Sequence, residues 1–97
     1  MTASGVGEIM PLIAQFRGIS IYLYTERDAP HRLPHFHAYY GEYVATFGIL
    51  PPALLEGVLP RAQLRLVLAW AELHLDEIQE GWSLAQAGRM PKRIAGL

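Results

Sequence analysis

The stretch His35-Phe36-His37-Ala38-Tyr39-Tyr40-Gly41-Glu42-Tyr43 decides the fold. Glycine at the first central position of Gly41-Glu42 suits a type II′ turn, which joins two antiparallel strands through a two-residue loop. That turn pairs Tyr40 with Tyr43, Ala38 with Ala45, His37 with Thr46 and Phe36 with Phe47. Side chains alternate across a strand. One face therefore reads Phe36, Ala38, Tyr40, Tyr43, Ala45 and Phe47, which is apolar and core-like. The other reads His35, His37, Tyr39, Val44 and Thr46. A slip of one residue would bury the histidines and expose Phe36, so the hydrophobic pattern selects the register.

Working towards the N-terminus, Glu26 to Pro34 is a loop with two prolines that carries Glu26, Arg27, Asp28, His31 and Arg32. Such a concentration of ionisable groups between strands suits a binding or active-site loop, although a solvated loop is commoner. Before it, Ile19 to Thr25 alternates, with Ile19, Ile21 and Leu23 on one side and Ser20, Tyr22 and Tyr24 on the other. Leu12 to Phe16 reads as a first strand, joined to it across Arg17-Gly18. Residues 1–9 are small and without period, a flexible leader, with Met10 as an alternative start; residues 10–97 form one domain.

Towards the C-terminus, Leu50 to Leu59 reads as a turn region, and a long helix follows from Pro60, a residue suited to a first helical turn. Leu64, Leu68, Ala71, Leu75, Ile78 and Trp82 recur at helical spacing and should pack on the sheet. Leu66, Trp70 and Leu73 form a second stripe, which implies burial by something besides the sheet. Gly88 followed by Met90-Pro91 ends the helix. Ile94 and Leu97 in the tail are apolar enough to dock on the body. The expected fold is α+β: a small antiparallel sheet of about four strands with one long C-terminal helix across one face.

Composition narrows the function classes. The 97 residues allow one domain. Hydrophobic residues make up 52% and charged residues 18%, apolar enough to hint at an interface, and the formal charge of −1 gives no overall pull towards nucleic acid. There is no cysteine, which excludes a disulfide scaffold and thiolate metal sites. No apolar run approaches the roughly 20 residues that span a bilayer, and the first ten residues lack a signal-peptide pattern. A soluble, cytoplasmic protein without a membrane partner is expected.

Met10-Pro-Leu-Ile-Ala-Gln-Phe16, Gly18-Ile-Ser-Ile-Tyr-Leu-Tyr24, His31, Pro34-His-Phe-His-Ala38 and Pro60-Arg-Ala-Gln-Leu-Arg-Leu-Val-Leu-Ala-Trp70 together resemble a prokaryotic family, domain of unknown function 4160. The chain departs from the family's usual pattern at Leu33, where a first proline precedes the motif, and at Pro30, where an acidic or amide residue precedes the upstream histidine. The resemblance implies a neighbouring gene of another small family, domain of unknown function 2442, in an arrangement similar to a toxin–antitoxin pair. This association carries no mechanism.

Three readings of the histidine face follow. Two histidines at i and i+2 on a strand project to one side and can share a divalent transition metal, with His31 as third ligand to His35 and His37; Glu26, Asp28 and His74 are weaker contributors. Alternatively, His35, His37 and His31 with Tyr39 supply acid–base groups for metal-independent RNA cleavage, as in small toxins. The third reading is partner binding, by the Tyr22, Tyr24, His37 and Tyr39 face of the sheet or by the Leu66, Trp70 and Leu73 stripe of the helix, because tyrosine and tryptophan combine apolar area with a polar tip. Partner binding is the leading expectation, with the histidine cluster as its centre; the partner is a small protein encoded nearby, and self-association and RNA stay open.

Overall fold

The computed structural model describes residues 11–24 and 33–97. Among these, five strands form one antiparallel meander in the order of the chain: β1 (Leu12–Phe16), β2 (Ile19–Tyr22), β3 (His35–Tyr40), β4 (Tyr43–Ile49) and β5 (Pro52–Gly57). Two helices follow, α1 (Arg61–Leu73) and α2 (Leu75–Gln86). The class is α+β, with one strand and one helix more than the sequence suggests.

Each turn has a local cause. Arg17 and Gly18 both take positive φ, 49° and 80°, as a type I′ turn requires. Gly41 has φ of 58° while Glu42 is not left-handed, the type II′ arrangement expected. The register of β3 on β4 is the expected one, from Phe36 opposite Phe47 to Tyr40 opposite Tyr43. The segment Leu50–Leu59 is not simply a turn region. Leu50 and Pro51, joined by a cis peptide, form the turn, and Pro52 opens an edge strand, where its missing N–H does no harm. A bulge then places Leu54 opposite Phe47 and Glu56 opposite Thr46, with Leu55 as the extra residue.

The core lies between one sheet face and the helices. Ile13, Ile19, Ile21, Leu23, Phe36, Ala38 and Phe47 are fully buried with Val67, Trp70, Ala71 and Ile78 of the helices. Leu64, Leu68, Leu75 and Trp82 pack partly buried against them, as their spacing suggests. Tyr43, expected on this face, is 45% exposed, because the hairpin tip runs past the cover. The long helix is broken at His74, whose φ of −116° and ψ of 29° bend the chain while His74 N–H still donates to Trp70 O and Ile78 N–H to His74 O. Gly81 lies where α2 meets Leu23: a Cβ there would come within 2.9 Å of Leu23 Cδ1. Gly88, at φ of 76°, ends α2 as a left-handed cap.

The tail docks on β1. Ile94 is buried and its N–H donates to the carbonyl of Ile13, the bulged residue of β1. Leu97 stays 38% exposed. No helix among the described residues is long and apolar enough to cross a membrane.

Candidate functional site

The sheet face away from the core carries the residues of interest. The registers align Ser20, Tyr39 and Val44 in one row, and Tyr22, His37, Thr46 and Glu56 in the next. Directly paired residues share a face. Tyr22, His37, Tyr39 and Thr46 are half-buried, whereas their neighbours on the core side are fully buried.

The rings on this face form a connected file. His35 lies 5.2 Å from His37, edge to face. His37 stacks on Tyr24 at 4.0 Å and 26°. The hydroxyl of Tyr24 is hydrogen-bonded to that of Tyr39, and Tyr39 meets Tyr22 edge-on at 5.4 Å. Such offset and T-shaped geometries suit the quadrupoles of the rings. The file gains a member from the helix layer: Trp82 of α2 lies 5.2 Å from His35. Helical spacing marks Trp82 only as a core residue; nothing in the sequence signals that it ends beside the histidine motif.

Two hydrogen bonds orient the imidazoles. His35 Nδ1 lies 2.8 Å from the carbonyl of Leu33. A carbonyl only accepts, so Nδ1 carries the proton and the lone pair of the neutral ring is on Nε2. His37 Nδ1 lies 3.2 Å from Thr46 Oγ1, its cross-strand neighbour.

His31, with Glu26 and Asp28, lies outside the described residues. Among the described residues no group of three or more histidines and carboxylates is placed to hold a metal ion. His35 and His37 alone fall short of the three protein ligands that a catalytic zinc site typically has. His74 is engaged elsewhere, with Nδ1 2.5 Å from Glu77 Oε1 at the helix junction.

Residues 18–83 match the family model described as domain of unknown function (DUF4160). The chain belongs to this family. The matched segment holds β2 to β5 and α1, including the histidine hairpin, and ends one residue after Trp82. Comparison with curated proteins gave no match, and comparison with solved structures gave none.

Leu66, Trp70 and Leu73 do not lie together on one open surface. Trp70 is fully buried between Phe16 and Phe36, each 5.7 Å away, and its Nε1–H donates to Ala95 O at 2.8 Å. Leu66 is partly buried against the core, and of the three Leu73 alone is open, at 71%. Trp70 and Leu66 find their cover within the chain, and Leu73 does not. Tyr22, Tyr24 and Tyr39, by contrast, are gathered on one face around His37.

Proposed function

We propose that this protein binds a small protein partner through the sheet face that holds His37, and that it is one member of a two-gene prokaryotic module similar to toxin–antitoxin systems. The observation that carries this reading is the charge of the sheet. Its five strands contain a single Asp, Glu, Lys or Arg between them, Glu56. The described cations, Arg17, Arg61, Arg65, Arg89, Lys92 and Arg93, all belong to a turn, to α1 or to the tail. A surface that grips the phosphates of RNA needs lysine and arginine along it. A face of tyrosine, histidine, valine and threonine has the composition of a protein interface.

Val44 at 44% and Leu55 at 54% exposure extend the same face towards the β5 edge and add apolar area. The hydrogen-bonded pairs, Tyr24 with Tyr39 and His37 with Thr46, hold the rings in place before a partner arrives. Pre-ordered rings lose less entropy on binding. The partner implied by the family is the neighbouring product of the domain of unknown function 2442 type.

RNA cleavage is the competing reading, since imidazoles such as those of His35 and His37 can serve in acid–base catalysis and Tyr39 carries a phenol on the same face. Co-expression of the chain with the neighbouring product separates the two. The interface reading expects a co-purifying complex that Tyr39→Asp breaks, with RNA intact in either case. Growth arrest by the chain alone, with RNA cleavage abolished by His35→Ala in a folded protein, would replace it with the nuclease.

A further inference from the structure

Resting on the reading of the sheet face as a protein interface, we infer that the partner presents a basic side chain, arginine or lysine, to the part of that face bounded by Tyr22, Tyr39, Thr46 and Glu56. Two observations, one at each end of the row, support this. Tyr22 and Tyr39 are half-buried rings set edge to face at 5.4 Å, so they offer ring surface and ring edge at one place. The negative face of an aromatic ring attracts a cation within about 6 Å, more strongly for arginine, which also stacks. Glu56 is exposed and paired directly with Thr46 in the row that continues through His37 to Tyr22.

The complement is also informative. Tyr22, Tyr39, Thr46 and Glu56 share this face with His35, His37, Gln15, Ser20, Val44, Ala53 and Leu55, and no described strand residue is a lysine or arginine. Glu56, the one carboxylate on the described strands, lies at the β5 end of this row, where it favours a positive partner group and disfavours a negative one. An acidic segment or a nucleic acid would meet no strand cation on this face. The exposed Val44 and Leu55 flank the charged position, so a segment with one basic residue between apolar ones fits the chemistry best.

The test uses the full chain, labelled with nitrogen-15, and blocked pentapeptides with one central arginine, glutamate or norleucine among glycines, together with a uridine hexanucleotide. The arginine peptide should move the amide resonances of Tyr22, Tyr39, Thr46 and Glu56, and Glu56→Gln should weaken its binding about two- to fivefold. Equal or larger shifts from the glutamate peptide or the oligonucleotide overturn the inference, as does no response to arginine. A second measurement separates this inference from the reading beneath it. If Tyr39→Asp breaks the complex with the neighbouring product while Glu56→Lys leaves it unchanged, the interface stands and the basic partner group falls. If neither variant affects the complex, the face itself is not the interface. If both break it, with Glu56→Lys costing about tenfold or more, both statements hold.

Discussion

Trp70 and His37 lie on opposite sides of one sheet, and substitutions should separate what each does. Trp70→Ala removes the ring that fills the core between Phe16 and Phe36 and the donor to Ala95 O, and should cost about 3–5 kcal/mol in a denaturant titration. It will impair binding only to the extent that it unfolds the chain. Thr46→Val acts on the other side. It deletes the hydroxyl beside His37 Nδ1, should cost about 1 kcal/mol or less, and should alter the nitrogen-15 shifts of the His37 ring while those of His35, held by Leu33 O, stay in place. Of these two residues the sequence shows the side of His37 and misreads that of Trp70. The hairpin pattern tells inside from outside because strand side chains alternate strictly. A helix laid across a sheet buries a wide arc, so Trp70 at the inner edge of its stripe falls in the core while Leu73 at the outer edge stays in water.

Among the elements, β1 to β4 and the register of the central hairpin are legible because turn chemistry and alternation agree. β5 is not. Pro51-Pro52 imitates a loop, and the bulge at Leu55 brings Leu54, Leu55 and Glu56 out of period two. The helix break at His74 is equally silent, since neither proline nor glycine marks it and the hydrogen-bond ladder bridges it. Part of the face is hidden with β5: Leu55 and Glu56 join the site only once that strand is placed. Gly57 secures β5. It holds φ of 84°, and a Cβ there would lie 2.3 Å from Val44 O. Gly57→Ala should therefore destabilise the protein by about 1–3 kcal/mol, seen as a lower melting temperature, and should broaden the Leu55 and Glu56 resonances first.

At the scale of the whole molecule, the chain divides its surfaces. The helices and tail cover one sheet face and carry most of the described charge, and among the described residues the other face keeps Tyr22, Tyr24, Tyr39, His35, His37 and one carboxylate, Glu56. The tail belongs to the covering layer: Ile94→Ala should cost about 2–5 kcal/mol in a denaturant titration without changing the charge of the open face. The central claim is that the open face meets the partner. Hydroxyl-radical footprinting of the complex with the neighbouring gene product tests it most directly, since Tyr22, Tyr39, Leu73 and Met90 all react when exposed. If the open face meets the partner, Tyr22 and Tyr39 become protected while Leu73, on the helix layer, and Met90, beyond it, label as in the free protein. Protection of Leu73 and Met90 with unchanged labelling of Tyr22 and Tyr39 would contradict it.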